Sequence, residues 1–168
     1  EEILRGDLAK YDWLHMHHED FTGQYGKFYG AYNHTAWYRN QVRSEEEKAS
    51  RLGFDKVSKM KLAVVQTIKT YVSNGGYLFS MCSGTDSFDI ALAAQNTDIC
   101  AAVFDGDAIA PDFQQQLDYS QTLAFQDFKL SQNPYEYEFS DIDMTNFRKV
   151  DAASDYFTLF DFSAKWDP

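Results

Sequence analysis

Cys82 is the residue in this chain best equipped for nucleophilic chemistry, and it stands in an informative run. That run reads Gly75-Gly76-Tyr77-Leu78-Phe79-Ser80-Met81-Cys82-Ser83-Gly84-Thr85-Asp86. A cysteine attacks as its thiolate, so it needs an adjacent base and donors for the oxyanion that develops. Imidazoles capable of that service gather in one other stretch, His15, His17 and His18, followed at once by Glu19 and Asp20; His34 stands alone. The candidate assignment makes Cys82 the nucleophile, His18 the base, and the backbone N–H groups of Ser83 and Gly84 the oxyanion donors. His17, Glu19, Ser83, Gly84 and Asp86 form the candidate ligand-binding set. A structural assignment competes at each position. Cysteine in an apolar run is commonly core packing, and Asp86 suits a helix cap better than an acid.

A metal is the other chemistry that such a histidine group suggests. Along a strand His15 and His17 share one face, while His18 points to the other. A structural or catalytic metal needs at least a third placed ligand, and the chain has neither a second histidine group nor a Cys-x-x-Cys pair. On ligand count the expectation is no metal and no cofactor. Gly23, Gly26 and Gly30 do not form a phosphate-cradling motif, because no strand-turn-helix Gly-x-Gly-x-x-Gly and no Lys-Ser/Thr pair accompany them.

The two chemical groups are far apart in sequence, so a scaffold must bring them together. The glycine pair ends a helix, and the five mostly apolar residues after it read as a buried parallel strand. Cys82 falls where that strand stops. Ser83-Gly84 makes a turn, with Thr85 or Asp86 capping the next helix. Tyr11 to His17 reads as a second strand, with Leu14 and Met16 alternating against His15 and His17. If both strands lie parallel in one open sheet, Cys82 and the His17-His18-Glu19-Asp20 group share its carboxyl edge, where ligands bind in such sheets.

Between them, Phe21 to Thr35 is expected as a folded, aromatic surface loop able to act as a lid. Ala36 to Leu52 is a charged helix stopped at Gly53. A further helix opens at Ser58, carries the stripe Leu62, Val65, Ile68 and Val72, and closes at Asn74-Gly75. Downstream, Ile99 to Phe104 is expected as a strand completing a βαβ unit, with the acidic turn Asp105-Gly106-Asp107 on the same edge. Asp118 to Phe125 is a short helix or irregular. Tyr135 to Asp143 alternates as a strand, with Glu136, Glu138 and Ser140 on its solvent side, and Tyr156 to Phe162 reads as another. The expected fold is one α/β domain over residues 1–168: a three-layer, flavodoxin-like αβα arrangement with a mostly parallel sheet and a mixed or antiparallel edge.

The run around Cys82 resembles the corresponding strand and turn of the class I glutamine amidotransferase-like superfamily. Its nearest likeness there is to the trehalose-utilisation (ThuA-like) branch, whose pattern is Gly-Gly-Gly, apolar residues, His, Ser, Ala, Thr, Asp. Gly75, Gly76, Cys82, Ser83, Gly84, Thr85 and Asp86 occupy the matching positions. Cys82 falls where that branch has histidine and where amidotransferases have their nucleophile. The resemblance therefore implies a nucleophile-elbow geometry at Cys82. Amidotransferases use Gly-x-Cys-x-Gly; Ser80 stands at the first glycine and Gly84 at the last. They also place a histidine, with a glutamate two residues on, late in the domain. Every histidine here lies at or before His34, so nothing after Cys82 matches it. The stretch from Tyr11 to Gln24 is similar to a group of uncharacterised bacterial proteins, some automatically named asparagine synthetase B, an activity that no residue pattern here carries.

Composition narrows the partners. A formal charge of −11 over 168 residues argues against nucleic acid and against an anionic membrane surface. Aromatic residues make up 17% of the chain and concentrate between Phe21 and Tyr38 and between Phe113 and Trp166, which suits a core and also a sugar or peptide site. Two cysteines, Cys82 and Cys100, are expected as reduced thiols. The chain starts at Glu1 without an initiator methionine and reads as a segment of a longer polypeptide, whose remaining segments are expected partners. No compartment is indicated. Three functional classes stay open: a cysteine-dependent hydrolase or amide-transfer domain, a non-catalytic ThuA-like domain binding a sugar or other polar small molecule, and a structural module of a larger assembly.

Overall fold

The structure, a computed structural model, describes residues 1–142. Its two strands are β1, Trp13–His17, and β2, Tyr77–Met81. They pair in parallel, with register running from Trp13 opposite Tyr77 to His17 opposite Met81. The long connection between them carries α1 (Tyr29–Tyr32), α2 (Ala36–Arg51) and α3 (Val57–Ser73). After β2 come α4 (Ser83–Ala93) and the single turn α5 (Ala102–Asp105). The described residues thus form a mixed α/β structure around a small parallel sheet.

Period-two alternation decides which side of the sheet is covered. Leu14, Met16 and Leu78 turn inward and pack with Val65 and Ile68 of α3 and with Phe88 and Leu92 of α4. Val65 and Ile68, two members of the expected stripe, are fully buried. Burial of an aliphatic side chain of this size contributes about 1.5–3 kcal/mol. The opposite face carries Trp13, Tyr77 and Phe79, all exposed, with the Trp13 ring 6.5 Å from Tyr77 and 6.4 Å from Phe79.

Helix α4 is the most enclosed helix among the described residues. Nine of its eleven residues are buried, so it is covered almost all round rather than along one stripe. Phe88, Ala91 and Leu92 face the sheet, while Ile90, Ala93 and Ala94 pack against Leu117, Phe128 and Phe139. A third cluster joins Tyr25, Tyr38, Met60 and Phe104.

Helix boundaries agree closely with the periodicity, because local signals set them. Thr35 caps α2, its side chain accepting from the Tyr38 N–H, and Asn74-Gly75 closes α3, with Gly75 at φ +95 where an L side chain would be strained.

Several expectations are corrected. The first half of the Phe21 to Thr35 segment is not a surface lid: Phe21, Thr22, Gln24, Tyr25 and Lys27 are buried, and the Asp20 carboxylate ties it down by accepting from the N–H groups of Thr22 and Gly26 at 2.7 and 2.8 Å, while Ala31, Tyr32 and His34 further on are exposed. Neither Thr85 nor Asp86 caps α4. The helix begins at Ser83 with Cys82 in the cap position, and Asp86 sits inside it, accepting from the Ser87 N–H.

Ile99 to Phe104 is not a strand. The Asp98 carboxylate accepts from the Cys100 N–H, and Lys56 holds Asp98 and Asp105 at 2.8 and 2.9 Å on one ammonium. An extended segment at about 3.3 Å per residue would carry those two acids about 23 Å apart, so the lysine and the local turn exclude it. Asp105 and Asp107 accordingly serve an ion-pair cluster with Lys56.

The Tyr135 to Asp143 strand also fails within the described residues. A lone antiparallel bridge joins Leu130 and Ser140, and the expected alternation is absent: Tyr135 and Tyr137 are exposed, whereas the consecutive residues Glu138, Phe139 and Ser140 are all buried. The Lys27 ammonium, which donates to the carbonyls of Ser131 and Glu138, pulls this segment inward. Asp118 to Phe125 contains one short 3-10 turn, Tyr119–Gln121. The Tyr156 to Phe162 strand lies outside the described residues.

Candidate functional site

The parallel register brings the ends of β1 and β2 side by side, so the residues that follow them meet. Strand alternation would send Cys82 to the covered face with Leu78 and Ser80. Its backbone, at φ 54 and ψ −142, departs from that pattern in a region costly for any residue with a Cβ. The thiol emerges exposed, with its Sγ 3.8 Å from His17 Nε2. His18 also has a positive φ, 57, and its ring meets that of His17 edge-on, 3.9 Å between centroids. The imidazole at the sulfur is therefore that of His17, with the His18 ring set edge-on against it.

Ser87 fixes the two segments relative to each other. Fully buried on α4, it accepts from the Phe21 N–H at 3.3 Å and donates to the Glu19 carbonyl at 2.9 Å, with the Ser83 carbonyl one turn back sharing the proton. Gly84 permits the close approach: a Cβ there would meet Ser80 Oγ at 3.2 Å and the Glu19 nitrogen at 3.6 Å. The start of α4 thus rests directly on the loop that leaves β1. As the first residues of the helix, Ser83 and Gly84 have N–H groups with no intrahelical acceptor.

A recess of about 190 Å³ opens at Cys82, lined by His18, Ser83, Asp86, Tyr137, Glu138 and Phe139 as well as the cysteine. Glu19 and His17 border a neighbouring hollow of about 600 Å³ beside α3. Of the sequence candidates, Cys82, His17, His18, Ser83 and Asp86 come together at the recess or its rim; Gly84 contributes backbone beneath it, and Glu19 turns to the adjoining hollow.

Tyr137, Glu138 and Phe139 escaped the sequence reading. A glutamate within an aromatic run was the available signal, but alternation assigned it to solvent, whereas it is 3% exposed. The second cysteine is unlike the first. Cys100 is buried, its thiol donates to the Thr22 carbonyl at 3.3 Å, and burial pushes its pKa well up, helped by the nearby Asp105 and Asp98.

Fold and site together define a mixed α/β protein with an exposed thiol and an imidazole at the carboxyl end of a parallel sheet. No family model, no curated protein and no solved structure matches the chain.

Proposed function

We propose that this chain is an amidotransferase-like domain that uses Cys82 to attack a small polar substrate bearing an activated carbonyl, such as an amide or ester. The observation that carries the reading is the 3.8 Å contact between the Cys82 sulfur and His17 Nε2 at a left-handed strand-to-helix bend. In the first step the thiol proton passes to His17 Nε2 and the sulfur bonds to the carbonyl carbon. The N–H groups at the start of α4 receive the developing oxyanion. The leaving amine or alcohol departs with the proton from the imidazole, and water, or an acceptor amine in a transfer reaction, releases the acyl group from sulfur. His17 takes the role of base from His18, which buttresses its ring. A full three-layer, flavodoxin-like architecture with a mixed edge belongs to the same proposal; the open aromatic face of the sheet is where its second helical layer would lie.

The test is competitive alkylation by iodoacetamide, read by mass spectrometry, together with turnover of a panel of small amides and esters. Cys82 is expected to react at least about tenfold faster than an unactivated thiol, as activation by an adjacent base implies. His17→Ala should remove that advantage, while Cys100 stays unlabelled in the folded protein. Cys82 reacting no faster than free cysteine, with no turnover, would sink the catalytic reading.

A non-catalytic reading is favoured by one observation, the tyrosine and two acidic side chains that line the recess with the thiol. Such a lining suits a sugar or another hydroxylated ligand. In that case Cys82→Ala retains ligand affinity and Asp86→Ala loses it.

A further inference from the structure

We infer that His17, His18 and Cys82 form a binding site for a thiophilic divalent cation, Zn²⁺ above all, with an open fourth position. This inference does not depend on the catalytic reading, since it asks only what the three side chains can hold. One ligand atom from each, two imidazole nitrogens and the sulfur, lies within 4.8 Å of the others, and all three residues are exposed.

The spacing matches tetrahedral coordination. Zinc bonds of about 2.3 Å to sulfur and about 2.0–2.1 Å to nitrogen, at a tetrahedral angle, set an S-to-N edge of about 3.6 Å. The observed Sγ-to-Nε2 separation is 3.8 Å. The remaining closure is a small rotation of exposed imidazoles within their rotamer wells.

The donor set selects the ion. Thiolate and imidazole suit zinc and discriminate against magnesium and calcium, which take oxygen ligands. Three protein ligands with a vacant position are the arrangement of catalytic rather than structural zinc sites. Cys82 and His18 line the recess, so a ligand entering it would reach the metal directly.

The consequence is a choice of two uses for one sulfur. On coordination the thiol loses its proton to solvent and its lone pair to the metal, so a metal-bound Cys82 no longer attacks carbon. Metal occupancy would therefore govern whether the thiol is available. The other convergent group, Asp98, Cys100 and Asp105, is a poor competitor, because the Lys56 ammonium already neutralises its carboxylates and Cys100 is buried.

The experiment is titration of the reduced, chelator-treated protein with Co²⁺, followed by Zn²⁺, with circular dichroism confirming the fold of each variant. Expected are one equivalent of Co²⁺, a near-ultraviolet sulfur-to-cobalt charge-transfer band, visible bands of tetrahedral Co²⁺, and loss of all of them when Zn²⁺ displaces the cobalt. Cys82→Ser should abolish the charge-transfer band. His17→Ala and His18→Ala should each weaken binding more than about tenfold, the lower end of what losing an outer-shell partner costs. His34→Ala, at a histidine outside the cluster, should keep the band. No charge-transfer band at one equivalent, or a band that survives Cys82→Ser or both histidine substitutions, overturns the site.

Iodoacetamide labelling of the metal-free protein separates the two ideas. A cobalt band with an unreactive free thiol removes the nucleophile and leaves the metal site. A reactive thiol with no band does the reverse.

Discussion

Burial and ion pairing pull the lysines of this molecule in opposite directions, and Lys27 shows the cost of burial. It is 3% exposed, and desolvation draws its pKa down from 10.5 to about 8 despite the opposing carboxylates of Glu136, Glu138 and Asp20. Below pH 8 both folded and unfolded chains hold the lysine proton, and the burial penalty is felt in full. Between about pH 8 and 10.5 the unfolded chain keeps a proton that the folded one has released, so stability rises with pH. Urea unfolding from pH 7.5 to 10 should show a gain on the order of 2 kcal/mol in the wild type relative to Lys27→Met. An identical slope in both proteins would exclude it. At still higher pH the sign turns, because burial raises the phenols of Tyr25 and Tyr38, the latter to about 12, and their ionisation favours the unfolded chain. Lys56 is the contrasting case: hydrogen bonds to Asp107 and Asp98 lead the influences that raise its pKa, and three acids gather around its one charge.

At the scale of elements, α4 owes its position to buried polar side chains as much as to its aliphatic ones. Ser87 fastens it to the end of β1. Asp89, 1% exposed, accepts from the N–H groups of Leu123, Ala124 and Phe125 at 2.8, 2.7 and 2.8 Å, and so holds the following loop against the helix. Asp89→Ala leaves three donors without their acceptor and should cost on the order of 3 kcal/mol in chemical denaturation. Asp89→Asn, which keeps one acceptor oxygen, should cost less. Equal losses from both variants would mean that the carboxylate's geometry contributes nothing. These polar anchors were not legible beforehand, since Ser87 and Asp89 in a helix ordinarily read as surface positions.

Across the whole molecule, one face of the sheet is sealed by two helices and the other is open among the described residues. Ile68 sits at the sealed side, fully buried in the cluster that joins α3, α4 and both strands. Ile68→Ala should cost about 2–5 kcal/mol by urea unfolding, because rigid neighbours on three elements cannot collapse into the cavity. A loss below 1 kcal/mol would show that the cluster is loosely packed. The open face bears exposed Trp13, Tyr77 and Phe79, and it borders the strand ends where His17 and Cys82 meet.

The elements closest to Cys82 were legible because their causes are local. Five mostly apolar residues between a glycine pair and a polar turn give β2, and apolar spacing with Asn74-Gly75 gives α3 and its end. Even the convergence of Cys82 with the histidine group followed once parallel pairing was assumed. Tertiary packing decided the rest. Which imidazole touches the sulfur depends on backbone φ at His18 and Cys82, and both are left-handed against their residue type. The fate of Ile99 to Phe104 was set by a lysine some forty residues upstream in α3's approach, and that of Glu138 by Lys27. A charge pair or a buried ammonium can override alternation because leaving it unpaired costs more than the propensity it defeats, and no local window of sequence contains both partners.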